Sequence, residues 1–474
     1  MTAPLWTWTE LVAATGGIAD VQPKAAIIGV SIDTRSLAPG DLFVALKDQR
    51  DGHEFVTTAF KSGAAAAIVA QEYQRQSGDG ALIRVADVLH ALQSAGRAAR
   101  ARLSANARVV AVTGSAGKTG TKEMLRACLA RVGKVHASEK SYNNHWGVPL
   151  TLARMPADTQ YGVFEIGMNH ADEIRPLSKM VRPHAAIITT VAAVHIEHFA
   201  SVSAIADAKA EIFEGLAQGG TAIVKYGTEH TARLIEAAAR CGARGVTFGL
   251  DDRANVHATN LHFSDDGTMM QVNLADRHLN VSLAMPGRHI AENALAVIAA
   301  MNAVGADVES AAAALATLAP PTGRGARMIL PINGGEALLI DESYNANPAS
   351  MRAALAALAT VPRDKFPRRI AVLGDMLELG SSAPDMHRDL KTAVDEAGVN
   401  VVFACGPLMQ HLYDALPQSI QGGYALSSAE LGAKLANALS PGDVVMVKGS
   451  NGTRLGPLVT TLKAKFHNDV SARQ

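Results

Sequence analysis

Residues 113–119 read Thr-Gly-Ser-Ala-Gly-Lys-Thr, with glycines, a lysine and a hydroxyl in the order that phosphate chemistry needs. A glycine-rich turn lets backbone N–H groups close on an anion, and a helix starting at its end adds the positive pole of its dipole. In such a loop Gly114, Ser115, Ala116 and Gly117 form the cradle, Lys118 reaches the outer phosphates, and the Thr119 hydroxyl ligates Mg²⁺. The spacing between Gly114 and Gly117 is shorter than in the common phosphate loop. The plain alternative is a glycine-rich turn that only caps a helix.

Three more residues could join that chemistry. Glu165 ends an apolar run just before Gly167. Ligands collect at the carboxyl ends of strands in an open parallel sheet, where a carboxylate suits Mg²⁺ directly or through water; the bland reading is a solvated strand-end carboxylate. His195, followed by Glu197 and His198, comes after the next apolar run and is a candidate cation ligand or an ordinary loop histidine. Lys209 lies in Asp-Ala-Lys-Ala-Glu-Ile-Phe, residues 207–213; from helix geometry alone it reads as a surface lysine beside acidic neighbours.

The elements that must position these groups follow from hydrophobic patterning. Residues 108–112 read as a short buried strand, and 118–132 as a helix with Met124, Leu125, Cys128, Leu129 and Val132 at helical spacing. At about one domain per 150 residues, a chain of 474 implies roughly three. A first block to residue 105 has strand-like runs at 29–33, 42–46 and 65–70, a helix near 55–62 and a connecting helix at 91–104. A second, 106–320, adds strands near 162–166, 185–190 and 221–224, alternating with helices as in a mainly parallel sheet. A third, 321–474, has strands near 338–341, 370–373, 401–404 and 444–447 between alanine-rich helices, as in a second doubly wound sheet. The expected fold is α/β in three domains: a small N-terminal α/β domain, a central phosphate-loop domain and a C-terminal Rossmann-like domain.

Composition excludes several classes. The formal net charge is +0, from 44 basic and 44 acidic residues, and aromatics are 4%, so neither an electrostatic footprint for nucleic acid nor a base-stacking platform is indicated. Cys128, Cys241 and Cys405 are scattered, as in a reducing compartment without a disulfide framework. The first ten residues lack the basic and apolar regions of a signal peptide, and the apolar stretch 294–306 is too short to span a membrane. A cytoplasmic protein without membrane insertion is expected.

Motifs along nearly the whole chain point to one family. They are Asp33-Thr34-Arg35, residues 40–46, Asp-Gly-His-Glu-Phe at 51–55, Asn-Asn-His-Trp-Gly-Val-Pro at 143–149, Ala-Lys-Ala-Glu-Ile-Phe at 208–213, and residues 287–295. Gly323-Arg324, Ser-Tyr-Asn-Ala-Asn-Pro at 343–348, Gly-Asp-Met-Leu-Glu-Leu-Gly at 374–380 and Lys448-Gly449-Ser450 follow in order. This set resembles the Mur ligases, the ATP-dependent amide-forming enzymes of peptidoglycan precursor synthesis. It is most similar to the member that adds D-Ala-D-Ala to UDP-N-acetylmuramoyl-tripeptide through an acyl phosphate.

The resemblance implies roles. Lys118 and Thr119 would hold ATP phosphates and Mg²⁺, two ions in all, with Glu165 and His195 as metal ligands and Lys209 carbamylated into a further one. Asn293 would contact adenine and Arg324 a phosphate. Residues 1–105 would form the UDP-sugar-binding domain, Asn144 would touch the UDP-linked substrate, and Thr34, Arg35, His53, Asn345 and Asn347 would also bind substrate. The family has Asp before Ser-Tyr-Asn-Ala-Asn-Pro, near the ribose; here Glu342 stands there with Asp341 before it, and either carboxylate could serve. A monomer is expected. The rivals are the preceding ligase of the series, which carries Asp-Tyr-Ala-His-Thr-Pro at the corresponding stretch, folylpolyglutamate synthetase, which lacks such a first block, and a non-catalytic nucleotide- and UDP-sugar-binding module.

Overall fold

Parallel strands bring their carboxyl ends to one edge, and three sheets do so in this chain. The computed structural model describes residues 4–471 except Lys140, His195, Asp265, Asp266 and Asp276. The first sheet runs in the order Ile18–Ala19, Ala81–Val85, Ala66–Ala70, Asp41–Val44, Gly29–Ser31; only the two-residue edge strand is antiparallel. Helix Val88–Ala101, capped by the Asp87 carboxylate, buries Val88, Ala91, Leu92, Ala95 and Ala99, a stripe at helical spacing.

The central sheet carries the phosphate-loop strand in its interior. Arg108–Thr113 pairs in parallel with Tyr161–Glu165 on one side and Ala185–Ile188 on the other. Its side chains alternate between two cores: Val110 and Val112 pack with Met124, Leu125, Cys128 and Leu129, whereas Val109 and Ala111 pack with Phe164 and Ile166. The expectation of a mainly parallel sheet holds for this core. It misses an antiparallel extension, Val256–Ser264, Gly267–Leu274 and Arg277–Leu283. The last of these alternates in burial from Leu279 onward, which is the period-two signal of a half-buried strand.

The third sheet runs Ala326–Ile332, Gly335–Glu342, Asp443–Lys448, Arg368–Gly374, Val401–Cys405, Gln421–Ala425. It is parallel except for its opening hairpin, so the α/β class expected from the sequence holds throughout. No helix among the described residues is long and apolar enough to cross a membrane.

The first sheet is joined to the central one through helix Gly147–Ala153, whose Leu150 and Ala153 lie in the first unit's core. Trp6 Nε1 donates to Ala153 O (2.8 Å) beneath the Arg102 guanidinium, which sits 3.8 Å over the indole. Arg100 donates to the carbonyls of Val181 and Arg182, each at 2.8 Å.

Half-buried and buried imidazoles make this framework acid-sensitive. His184 Nδ1 accepts from Val109 N–H (2.9 Å), and burial, helped by Arg100 and Arg108, pushes its pKa down to about 4. Burial also lowers His136 and His387. The unfolded chain therefore takes up protons that the folded chain refuses. Stability should be full above the unfolded-state value of about 6.5 and fall as pH drops toward 4, with His184 contributing on the order of 2 kcal/mol. Urea unfolding at pH 7 and pH 4.5 tests this; a His184→Asn variant should lose less between the two.

Candidate active site

The phosphate loop is shaped by what presses on it. Gly114 has φ +149° and Gly117 +83°, a region that glycine occupies without strain. A Cβ on Gly114 would lie 1.9 Å from Thr189 Oγ1, and one on Gly117 2.8 Å from Asn293 Oδ1. Ser115 N donates to Thr190 O (2.8 Å), and Ser115 Oγ donates to Ala192 O (3.1 Å) while accepting from Ala192 N (2.9 Å). Helix Lys118–Leu129 starts directly after Gly117, so its free N–H groups face the space over the loop. Lys118 Nζ donates to Gly114 O (2.6 Å). Burial in the cleft lowers its pKa; Glu165 opposes that shift and Arg324 adds to it.

Glu165 is 1% exposed, not a solvated strand-end group. Its Oε2 accepts from Thr119 Oγ1 and its Oε1 from Asn143 Nδ2, both at 2.8 Å. Register makes the first contact: Val112 pairs with Glu165 in the parallel ladder, so the strand-end carboxylate and the first turn of the next helix share an edge. Lys209 is 2% exposed, which overturns the reading as a surface lysine. Helix Val202–Ala210 turns it inward with Ala206 and Ala210. Burial drives its pKa well below the ordinary lysine value, and the neighbouring Lys118 ammonium drives it further.

A cavity of about 540 Å³ opens over the loop between the central and C-terminal units, lined by residues 115–119, Glu165, Asn293, Arg324, Glu342, Asn345 and Asn347 among others. Arg324 stacks 4.3 Å over the Tyr344 ring. Asn347 caps helix Pro348–Ala359 and donates to Ser115 O in the phosphate loop (3.3 Å). Tyr344 OH donates to Ser141 Oγ (2.9 Å), and Gly380, at φ +58°, is packed so closely that a Cβ would lie 2.8 Å from Glu197 Cβ. Of the two candidate carboxylates, Glu342 lines the cavity, 3.4 Å from Lys448 Nζ. Asp341 points to the other face of its strand, accepting from Ser343 N (3.2 Å) and Oγ (2.6 Å).

Other sequence candidates lie elsewhere. Asn144 Oδ1 accepts from Trp146 N and Gly147 N at the start of helix Gly147–Ala153, while its neighbour Asn143 reaches the cavity. Arg35 is exposed and paired with Asp33 next to Thr34. His53 donates from Nδ1 to Asp51 Oδ1 (2.6 Å) and accepts at Nε2 from Ala70 N (2.9 Å). It lines a separate cavity of about 490 Å³ with Lys47, Tyr73 and Trp146. His195 lies outside the described residues.

Residues 112–301 match the Mur ligase middle domain, and 327–451 the Mur ligase glutamate ligase domain. Over 440 residues the chain is 36% identical to UDP-N-acetylmuramoyl-tripeptide–D-alanyl-D-alanine ligase of Escherichia coli (strain K12), covering 92% of this chain and 93% of that one. The chain belongs to the Mur ligase family. A crystal structure of MurF from Acinetobacter baumannii has a TM-score of 0.85 at 31% identity, covering 98% of this chain and 100% of that one. MurF from Thermotoga maritima, solved in complex with ADP, shares the fold at TM-score 0.78 and 23% identity, covering 94% and 99%.

The donor set of this Mur ligase fits a nucleotide with Mg²⁺. Hard oxygens from Thr119 and Glu165 meet at one end of the loop, as Mg²⁺ requires, and cations from two units face the cavity. No cluster of three or more His, Cys, Asp or Glu able to hold a metal occurs among the described residues. Residue-level reading missed Asn143, Lys448, and the Lys225–Glu292 pair at 2.7 Å on the cavity wall. The doubled asparagine at 143–144 was the available signal for the first and the Lys448-Gly449-Ser450 motif for the second; Lys225 carries no local pattern.

Gly117→Ala should weaken ADP binding at least about tenfold, since the new methyl meets Asn293 and the backbone strain costs roughly 1–3 kcal/mol. Calorimetric titration with MgADP measures it.

Proposed function

We propose that this Mur ligase joins D-Ala-D-Ala to UDP-N-acetylmuramoyl-tripeptide at the expense of ATP, producing the pentapeptide precursor of peptidoglycan. One observation carries the reading: Lys118 from the central unit and Arg324 from the C-terminal unit line the same cavity as the Thr119–Glu165 pair. The E. coli relative, similar over almost its whole length, bears the name of this activity. In this reading residues 1–105 bind the UDP-sugar through Thr34, Arg35, His53 and the adjoining Asn144, residues 106–320 bind ATP, and residues 321–474 close over it with Arg324, Asn345 and Asn347. Glu342 takes the ribose, supported by its place on the cavity wall. One chain carries all three units, which suits a monomer, and the supply of ATP suits the cytoplasm.

A carboxylate has no usable leaving group for amide formation. Its oxygen attacks the γ-phosphorus of ATP, the bond to the β-phosphate oxygen breaks, and an acyl phosphate and ADP result. The amine of D-Ala-D-Ala then attacks the acyl carbon; the C–N bond forms, phosphate departs and one proton is released. The first step brings two anions together. Lys118 and Arg324 offset their repulsion and stabilise the charge on the transferring phosphoryl oxygens. Thr119, Glu165 and His195 would hold Mg²⁺, which when bound would supply further positive charge to the phosphate oxygens. Asn347 on Ser115 and Tyr344 on Ser141 hold the C-terminal unit against the loop, which keeps water from the acyl phosphate.

Lys209 suits carbamylation. Burial and then the Lys118 ammonium depress its pKa, which favours the neutral amine that can add to CO₂ with loss of a proton. The product would be an anion beside Lys118, replacing repulsion between two ammonium groups with attraction, and its oxygens would suit a second Mg²⁺.

Phosphate release should require ATP, Mg²⁺, the UDP-linked tripeptide and D-Ala-D-Ala together. Turnover without D-Ala-D-Ala, or with a free diamino acid in its place, would refute the assignment. Lys118→Met should lower kcat by about 100-fold or more, read in the same assay. Lys209→Ala should be nearly inactive and regain activity with short carboxylic acids; full activity without them would remove the carbamate from the mechanism.

A further inference from the structure

Lys122 is 0% exposed, on the helix that follows the phosphate loop. It stands one turn beyond Lys118 and Thr119, on their side of the helix. Its ammonium donates to Ser138 O (2.7 Å) and lies 2.8 Å from Glu123 Oε1. Burying a charge is costly even when it is paired, and an apolar side chain of similar volume commonly packs as well or better. A charge here therefore points to a task other than filling space.

Ser138 adjoins the backbone of the carboxylate residue. Its Oγ accepts from Glu165 N (3.4 Å). Farther along, Asn143 Nδ2 donates to Glu165 Oε1, while the other oxygen accepts from Thr119. Gly167 N donates to Asn143 O (2.8 Å), and a Cβ on Gly167 would lie 3.0 Å from Asn143 Cγ, so the amide is boxed in. We infer that Lys122 is a positioning residue: by tethering the Ser138 carbonyl it holds Ser138 against the Glu165 backbone, where together with Asn143 it orients the Glu165 carboxylate toward Mg²⁺. It does not line the cavity over the phosphate loop. The inference rests on reading Thr119 and Glu165 as the Mg²⁺–nucleotide site.

The test measures binding of a fluorescent ADP analogue across a Mg²⁺ series, with phosphate-release kinetics alongside. Folded Lys122→Met should need about tenfold more Mg²⁺ for half-maximal binding, as for other residues that orient metal ligands, with the KM for D-Ala-D-Ala within about twofold of the unaltered protein. Lys122→Arg, which keeps a buried donor within reach of a carbonyl, should recover most of the Mg²⁺ dependence. Asn143→Ala should shift it by a similar factor, and the double variant no further than the larger single shift. An unshifted Lys122→Met, or a double variant whose effects multiply, overturns the role. If Lys122→Met does not fold, Asn143→Ala decides: a tenfold shift supports the role and an unshifted Mg²⁺ dependence overturns it. Analogue binding to the unaltered protein that ignores Mg²⁺ would instead overturn the functional reading itself.

Discussion

Everything in the cleft depends on one parallel pairing, Arg108–Thr113 beside Tyr161–Glu165. A parallel ladder ends both strands on the same edge, so groups far apart in the chain meet where the strands stop. Thr119 and Glu165, 46 residues apart, come to 2.8 Å for this reason. The apolar alternation of the first strand holds it between two cores and fixes its face. A slip of one residue would exchange every side chain between those cores and turn the carboxylate away from the loop. The third strand of the set, Ala185–Ile188, places Thr189 hard against Gly114, so the same register also decides which loop residues must lack a side chain.

The second theme is charge stored where water is scarce. The chain is neutral overall, yet the cavity gathers Lys118, Arg324, Lys225 and Lys448 on its walls. Burial depresses the pKa of Lys118, Lys209 and Lys448. Glu165, Glu292 and Glu342 offset part of this charge. A site arranged in this way gains most when a polyanion enters, because the phosphates replace the lost hydration of the cations with direct contacts. The two halves come from different sheets, so a nucleotide bound between them would also bond the units together.

Much of this was legible along the chain. The loop could be read because its chemistry is local: glycines, lysine and threonine follow one another between a buried strand and an amphipathic helix. The buried strands and the main helices were legible for the same reason, through period and turn residues. The antiparallel extension at residues 256–283 was missed although Arg277–Leu283 alternates; short alternating runs among many apolar ones stand out poorly. Lys209 looked like a surface residue because a helix of nine residues rich in alanine shows no clear polar side, and only packing decides which way it turns. Asp341 and Glu342 could not be separated, since neighbouring strand residues point to opposite faces and the facing partners were unknown.

By itself, then, the sequence determined the phosphate loop, the α/β class, the three-unit plan and the family to which the chain belongs, because each rests on short-range spacing or on ordered motifs. Tertiary structure decided the rest. It placed Glu342 rather than Asp341 on the cavity wall and brought Asn143 rather than Asn144 to Glu165. It buried Lys122 and Lys209, and set Arg324 and Asn347 across from the loop. These facts turn on which strands pair, in which register, and on which units face one another, and such contacts join residues too far apart in the chain for any local pattern to record them.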